Sequence, residues 1–337
     1  MSTVTFYAED EVRSLVNKRD GEVKFGEVLS IAHDWQSLQN SKHPYVLLGI
    51  PEDIGVRANF GISGTSQAWT QALRVLCNIQ QNEFTQAEKV LLLGEIDCRD
   101  EVSALGVVAK DDALNTQQLG ALVSNIDTKV AEAVAAIIKT GKIPILVGGG
   151  HNNSYGNLNG ASTALGGPLN CINFDAHTDF RALEHRHSGN GFSYAYNEGY
   201  LEKYFVFGLH RNYTSQSVFD TMKKHKDRIQ FALFDSLLQD KGNSFEVFLQ
   251  KADTFCGQKP FGLELDMDAI AEMGSSAQSP SGFSVTEARH FLRYFSKKEH
   301  CIYIHICEGN PKTESFPNQV AKTIAYFISD VLSGETS

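Results

Sequence analysis

The sequence predicts a single α/β domain with a mostly parallel sheet and helices on both of its faces. Eight short apolar runs are predicted as strands, at residues 45–50, 90–93, 143–147, 171–174, 204–207, 229–234, 261–265 and 301–306. These runs are nearly continuous rather than alternating, which is typical of strands that are buried on both faces. Helical patterns separate several of the runs, and strand alternating with helix indicates right-handed crossovers in one α/β domain.

The clearest helical pattern lies between the second and third predicted strands. Apolar residues recur there at helical spacing, at Leu119, Leu122, Ile126, Val130, Val134 and Ile137. Gly141 follows where a helix would end, because glycine adopts the left-handed conformation of a C-terminal cap at little cost. Residues 1–44 are predicted to form a helical and loop extension, and residues 45–337 to form the single catalytic domain.

Composition narrows the class of protein. The chain has 337 residues, 42% of them hydrophobic, which is enough for a sizeable core. A formal charge of -10 and a pI near 5.6 argue against nucleic acid or an anionic membrane as the main partner. No signal-peptide pattern and no apolar run of membrane-spanning length is visible, and the six cysteines form no CxxC pair. A cytoplasmic enzyme acting on a small-molecule substrate is consistent with these features.

Acidic and imidazole side chains follow four of the predicted strands. The stretches "IPILVGGGH", "CINFDAHTD", "FGLELDMD" and "CIYIHICEGNP" each end a strand. The side chains that they deliver are His151, then Asp175, His177 and Asp179, then Asp266 and Asp268, and finally Glu308. In open parallel sheets, ligands bind beyond the carboxyl ends of the strands. We therefore expect these seven side chains to meet at one edge of the sheet.

This set of side chains predicts a metal site. Alternate residues of an extended segment face the same way, so Asp175, His177 and Asp179 can converge. Several carboxylates in one crevice raise each other's pKa unless cations neutralise them. Aspartates and histidines without cysteine suit a pair of Mn²⁺ ions, or another mid-row divalent metal, which can activate a water as hydroxide. A lone Asp-x-His-x-Asp pattern is more often a turn or a helix cap, but its combination with the other strand ends favours metal.

The motifs also resemble those of a known family. From Tyr45 to near the C-terminus, "GGGHNNSYG", "NFDAHTDFR", "HSGNGFSYA", "LELDMD" and "CEGNP" resemble the ureohydrolases, namely arginase, agmatinase and formimidoylglutamase. The resemblance implies a three-layer α/β/α fold with a central eight-stranded parallel sheet, two Mn²⁺ ions per chain, and a homo-oligomer, either trimer or hexamer. It assigns one ion to His151, Asp175, Asp179 and Asp266. It assigns the other to Asp175, His177, Asp266 and Asp268, with Asp175 and Asp266 bridging the two ions.

Within the family, the chain looks most like formimidoylglutamase. The stretch "GIPEDIGVRANFGISGTSQAW", the sequence GGGH and Arg181 after the Asp-Phe pair all favour this subfamily. A guanidinium at Arg181 would attract the carboxylates of N-formimino-L-glutamate and repel the cationic end of agmatine. Ser188 and Asn190 are expected to bind the distal carboxylate with Arg181. The alternative for Arg181 is a surface ion pair with an acid such as Glu184.

Three positions depart from the family pattern, and they leave the exact substrate open. Phe192 stands where arginase has histidine, Asn190 where formimidoylglutamases usually have threonine, and His305 where an aspartate normally precedes the motif glutamate. The expected reaction is hydrolysis of an amidine or guanidine C–N bond. Glu308 would bind the amidinium group, and Asp179 would carry a proton to the leaving amine.

Other functions remain open on the sequence alone. An arginase- or agmatinase-type hydrolase is the first alternative, and for Glu308 the alternative is an acid at the start of a helix. A single-zinc deacetylase on a related fold would leave His151 and Asp268 without a role. A non-catalytic member of the family would typically have lost ligands, whereas all six are present here.

Overall fold

The computed structural model describes residues 3–107, 112–239 and 244–333, and in this part ten strands form one sheet. The strands are β1 (Val4–Thr5), β2 (Ser30–Ile31), β3 (Tyr45–Gly49), β4 (Val90–Ile96), β5 (Ile143–Val147), β6 (Leu169–Phe174), β7 (Leu201–Leu209), β8 (Ile229–Leu233), β9 (Phe261–Asp266) and β10 (Cys301–Cys307). Strands β3 to β10 match the eight predicted runs and pair with one another only in parallel. The predicted eight-stranded parallel sheet is confirmed.

The described residues also form thirteen α-helices. They are α1 (Glu9–Arg13), α2 (Phe25–Val28), α3 (Trp35–Asn40), α4 (Ile54–Ala58), α5 (Ala68–Leu76), α6 (Arg99–Ala104), α7 (Asp112–Ile138), α8 (Asn153–Leu165), α9 (Gly191–Asn197), α10 (Gln216–Lys224), α11 (Phe245–Ala252), α12 (Val285–Ser296) and α13 (Gln319–Leu332). Helix α7 contains the predicted helical pattern, and Gly141 beyond its end has a φ of 76°. Among the described helices, none has both the length and the apolar composition to cross a membrane.

The helices cover both faces of the sheet, which makes three layers. Successive strand residues belong alternately to two apolar clusters, because neighbouring side chains of a strand point to opposite faces. On β3, for example, Leu47 packs with α5 and α13 in one cluster, and Leu48 packs with α7 and α8 in the other.

Helix α12 begins with a capping box that the local sequence encodes. The N–H of Glu287 donates to the hydroxyl of Ser284 at 3.2 Å, and the Glu287 carboxylate accepts the N–H of Ser284 at 2.7 Å.

The N-terminal segment is joined to the sheet more closely than the sequence indicates. Strand β1 pairs antiparallel with β4, and β2 pairs with β4 in parallel. Phe25 and Leu29 are fully buried in the core beneath α5. The description of residues 1–44 as only helix and loop is therefore incomplete, since two-residue strands produce no periodic pattern in a sequence. The domain boundary at residue 45 stays a prediction.

The strand order explains where the polar residues meet. From one edge to the other it is β1-β4-β3-β5-β10-β9-β6-β7-β8, with β2 also on β4. The four strands that end in the predicted site residues, β5, β10, β9 and β6, are consecutive neighbours in this order. Because they are parallel, their carboxyl ends lie at one edge, where a crevice forms between diverging connections.

Candidate metal centre and active-site pocket

His151 is delivered by a glycine turn, residues 148–150, after β5. Gly149 has a φ of 73°, and a Cβ at this position would lie 2.4 Å from Nδ2 of Asn153. The buried carboxylate of Glu52 holds the turn: its Oε1 accepts the N–H of Gly150 at 3.1 Å and the amide of Asn153 at 2.7 Å. Only glycine fits so tight a turn at this φ, so the GGGH sequence places His151 in the crevice.

Around His151, four side chains form the first ligand group. Nδ1 of His151 lies 2.8 Å from Oδ2 of Asp179, 3.0 Å from Oδ2 of Asp266 and 3.3 Å from Oδ2 of Asp175. Adjacent ligands of an octahedral ion are separated by about 3 Å when each ligand bond is about 2.1 Å. These are the four side chains that the resemblance assigns to one ion, and their spacing fits one ion.

A second ligand group shares Asp266 with the first. His177, Asp266 and Asp268 place ligand atoms within 4.8 Å of one another. Asp175, the fourth predicted member, approaches through Oδ1, which lies 3.5 Å from Nδ1 of His177. Asp268 is held by the N–H of Ala277 at 3.1 Å. The structure therefore brings all six predicted ligands into two adjacent groups, while their binding of metal stays a prediction.

The charge of the two groups favours cations. Burial raises the pKa values of Asp179, Asp266 and Asp268 above their ordinary range, and neighbouring carboxylates add to the effect. Asp175 differs, since contacts with His151 and His177 outweigh its burial and lower its pKa. Ionised carboxylates in so small a buried volume need positive charge beside them. Oxygen and imidazole donors without a thiolate suit Mn²⁺, so the residues present fit two such ions.

Glu308 faces the pocket from the end of β10. Its backbone adopts a left-handed φ of 61°, and its N–H donates to the carbonyl of Gly149 at 3.0 Å. Oε1 accepts the N–H of His151, whereas Oε2 is buried without a hydrogen-bond partner in the described part of the chain. Burial, together with the Asp268 carboxylate, raises the pKa of Glu308 to about 8. A cation bound against this oxygen would favour the ionised form of Glu308, so a cationic substrate group is complementary to it.

Above the two groups lies a cavity of about 520 Å³. Arg181, Ser188 and Asn59 form part of its wall. Oδ1 of Asn59 accepts a hydrogen bond from Nη1 of Arg181 at 2.6 Å, and Nδ2 of Asn59 donates to the Ser188 hydroxyl at 3.1 Å. Arg181 also lies 3.8 Å from Glu184, so the surface ion pair considered as its alternative is present but long. Arg181 and Ser188 therefore line the pocket, while their contact with a substrate carboxylate stays a prediction.

Asn190 does not reach the pocket, contrary to the prediction of a substrate contact. Its side chain is fully buried, and its Oδ1 accepts hydrogen bonds from Arg186 and from the N–H of His187. Its Nδ2 donates to the carbonyl of His185 at 3.0 Å. Asn190 therefore holds the loop that carries Ser188. These partners lie only three to five residues upstream, but the loop conformation that brings them to the amide is held by a tertiary contact, the 2.9 Å ion pair of Arg186 with Asp127.

Phe192, the departure from arginase, lies beneath the first ligand group. Its ring meets the His151 ring edge-on at 5.1 Å and stacks on Tyr204 at 4.4 Å. The side chain is fully buried, so it supports the His151 imidazole from below and supplies no polar group to the substrate.

Several residues near the pocket were not singled out by the sequence. Asn59 lies in the stretch "GIPEDIGVRANFG", which carried a family signal but no indication of its individual contacts. Tyr213 lines the cavity and packs 5.2 Å from the ring of His177. Ser276 and Ala277 line it beside Asp268, in a stretch without a recognisable motif.

Comparison with known proteins agrees with this geometry. The model of the Arginase family matches residues 43–333. A formimidoylglutamase from Geobacillus sp. (strain WCH70) is 27% identical over 297 residues, which cover 85% of this chain and 82% of that protein. Two solved structures, each 18% identical, have the same fold. Formiminoglutamase from Trypanosoma cruzi with Mn²⁺ has a TM-score of 0.73 and covers 93% of this chain and 98% of that one. Formimidoylglutamase from Bacillus subtilis has a TM-score of 0.73 and covers 94% and 93%. The chain therefore belongs to the arginase family and is a hydrolase of that family.

Proposed function

We propose that this protein hydrolyses the C–N bond of a linear amidine, with N-formimino-L-glutamate as the preferred substrate and L-glutamate and formamide as products. The observation that carries the proposal is the buried Oε2 of Glu308, which has no hydrogen-bond partner among the described residues, beside two groups of potential metal ligands in one cavity. A cationic amidinium is complementary to this carboxyl oxygen, and a neutral amide is not.

The metal centre of the proposal consists of the six ligands described above. Two Mn²⁺ ions, when bound, lower the pKa of a water so that it can act as a nucleophile near neutral pH. The chain's own contribution is to fix the donors. Glu52 holds the His151 turn, and the N–H of Ala277 holds Asp268. Metal ligands that are already held in place favour a defined ion geometry and lower the entropic cost of ordering the site when metal binds.

Glu308 binds and orients the reacting group in this proposal. Its Oε2 accepts an N–H of the amidinium, which places the amidine carbon beside the metal ligands at the pocket floor. Because Oε1 is already held by the N–H of His151 at 2.6 Å, the carboxylate has one orientation, and binding does not have to order it. Charge-assisted bonds in a desolvated site are stronger than neutral ones.

Asp179 is the group best placed to carry the proton. It belongs to the first ligand group and also lines the cavity, so its carboxylate touches both the floor and the substrate space. Its left-handed φ of 41° turns it into this position immediately after the extended segment. Asp179 would accept a proton from the attacking water and deliver it to the amine nitrogen of glutamate, which leaves as the C–N bond breaks.

Arg181, Ser188 and Asn59 select the distal part of the substrate. Asn59 links the other two side chains, so the guanidinium and the hydroxyl present their donors together on one wall. A substrate carboxylate can accept hydrogen bonds from both side chains, whereas the guanidinium would repel the cationic end of agmatine. This wall is the structural support for an anionic tail. The names of the relatives, formimidoylglutamase and formiminoglutamase, support the same substrate.

The direct test is a hydrolysis screen of the Mn²⁺-loaded protein. Formiminoglutamate, arginine, agmatine and guanidinobutyrate are offered at equal concentrations, and formamide or urea is measured. Rapid release of formamide from formiminoglutamate, with little urea from the others, is expected. Efficient hydrolysis of arginine or agmatine with none of formiminoglutamate would overturn the substrate and favour the urea-forming alternative. The homo-oligomer and the cytoplasmic location stay predictions from the sequence.

A further inference from the structure

A buried polar cluster lies behind His151, on the side of the imidazole that faces away from the pocket. Its members, none of which has exposed surface, are Glu264, His305, Tyr303 and Asn157. Glu264 on β9 and His305 on β10 are paired residues of adjacent parallel strands, so their side chains lie side by side. A carboxyl group at this depth is costly unless its oxygens have partners.

The contacts of Glu264 account for both of its oxygens. Oε2 lies 2.6 Å from Nδ1 of His305, while Oε1 accepts the hydroxyl of Tyr303 at 2.8 Å and the amide of Asn157 at 3.2 Å. The other ring nitrogen of His305 lies 3.3 Å from the carbonyl of Gly148, in the turn that carries His151. The cluster is therefore a rigid support that touches the turn as well as the sheet.

His151 presents a different nitrogen to each side. Nδ1 faces the three carboxylates of the first ligand group, at 2.8 to 3.3 Å. Nε2 is buried without a hydrogen-bond partner in the described part of the chain, and Oε2 of Glu264 lies 3.4 Å away from it. An imidazole that ligates a metal through Nδ1 carries its proton on Nε2, and that proton needs an acceptor.

We propose that Glu264 is a positioning residue for His151: it accepts the Nε2–H of His151 and so keeps Nδ1 free of a proton and directed at the first ion. His305 and Tyr303 hold the Glu264 carboxylate in place for this task. The inference rests on the metal centre of the proposed function. It also gives a role to His305, which stands out in the sequence as a departure from the family pattern. In the competing explanation, Glu264 and His305 merely tie β9 to β10.

The test compares two substitutions in the same pair. Glu264→Gln keeps the size of the side chain but removes the charge that faces Nε2. His305→Gln removes the imidazole that contacts Glu264 and leaves the carboxylate of Glu264 beside His151. Metal-free wild type and both variants are titrated with Mn²⁺ while the electron paramagnetic resonance signal of free Mn²⁺ is recorded. Thermal unfolding of the metal-free proteins is measured in parallel.

In Glu264→Gln, one of the two Mn²⁺ dissociation constants is expected to rise about 10- to 100-fold, and the other to change little. His305→Gln should lower the unfolding midpoint and raise the same dissociation constant by no more than about threefold, because Tyr303 and Asn157 still hold Oε1 of Glu264. The inference is overturned if Glu264→Gln leaves both constants unchanged, or if His305→Gln weakens the same ion equally. If Glu264→Gln does not fold, Glu264→Asp, which withdraws the carboxylate by one methylene, must show the same selective loss. A wild type that binds no Mn²⁺ would instead overturn the proposed function itself.

Discussion

The N–H of His151 donates a hydrogen bond to Oε1 of Glu308 at 2.6 Å, which ties the first ligand group to the residue proposed to bind substrate. The two residues are 157 positions apart in the chain, and they meet because β5 and β10 are adjacent. With Oε1 occupied, only Oε2 of Glu308 remains for the amidinium. The position of the substrate cation is thus set by the same turn that positions a metal ligand.

Glu308→Gln should reduce amidine hydrolysis severely without emptying the metal centre. The amide retains the shape of the side chain but loses the charge that pairs with the amidinium. Loss of such a bond costs about 1.5–3 kcal/mol, which corresponds to about one to two powers of ten in kcat/KM. The measurements are steady-state kinetics and Mn²⁺ content.

A matched control for Glu308→Gln is Glu101→Gln, because Glu101 is also a buried acid but pairs with Lys129 outside the pocket. The control should lower stability and leave turnover intact. Unchanged kinetics in Glu308→Gln would return Glu308 to a purely structural role at the end of β10.

Asp268→Ala should lower the metal content from two ions per chain to one and abolish hydrolysis. Asp268 belongs to the second ligand group alone, whereas Asp266 belongs to both. Elemental analysis after Mn²⁺ loading and removal of excess metal measures this. Asp253→Ala is the control, since Asp253 pairs with Lys298 and does not line the pocket. If Asp268→Ala retains both ions and full turnover, the assignment of this ligand is wrong.

Arg181→Ala should raise the KM for formiminoglutamate by up to about fivefold and change kcat much less. The Arg181 side chain is 56% exposed, so its attraction for a carboxylate is screened by water and the effect is moderate. The variant should also discriminate less against agmatine. Arg99→Ala, another exposed arginine with an acidic neighbour, provides the control. Equal kinetic constants in wild type and Arg181→Ala would leave Arg181 with only its structural contacts to Asn59 and Glu184.

Phe60→Asn should stabilise the protein while raising KM. Phe60 lines the cavity, is 77% exposed and has a φ of 62°, a conformation that costs an aromatic residue about 1 kcal/mol and that asparagine adopts more readily. Gln86→Asn is the matched control, because Gln86 has a φ of 49° and does not line the pocket. It should gain stability without a kinetic effect. A KM that stays constant in Phe60→Asn would show that the strained ring has no role in substrate binding.

Asn190→Ala should destabilise the protein by about 1–3 kcal/mol, because the N–H of His187 would lose its acceptor in a buried site and Arg186 would lose one of its several acceptors. Its KM should rise through loosening of the loop that carries Ser188, with metal content unchanged. Denaturant unfolding and kinetics measure the two effects. A variant with wild-type stability and a raised KM would restore Asn190 as a direct substrate contact.

The sequence by itself determined the eight parallel strands, the sheet edge and the six potential ligands, but not the two-residue strands β1 and β2. Buried parallel strands leave long apolar runs, and glycine turns and acidic residues directly after those runs remain visible without coordinates, as in the stretch before His151. Family resemblance then supplied the fold and the class of reaction, both of which are confirmed.

Only the tertiary structure decided which polar groups are available to a ligand. Asn190 and Ser188 are two residues apart. The amide oxygen of Asn190 accepts a hydrogen bond from Arg186, whereas Ser188 faces the pocket beside Asn59. In the sequence, His305 is only a departure from the family pattern. The pairing of β9 with β10 places it against Glu264. The physical reason is that the burial of a polar side chain and the partners within its reach depend on how distant strands and loops pack, even where a partner is near in the sequence, whereas strand formation is visible in the local pattern of apolar residues.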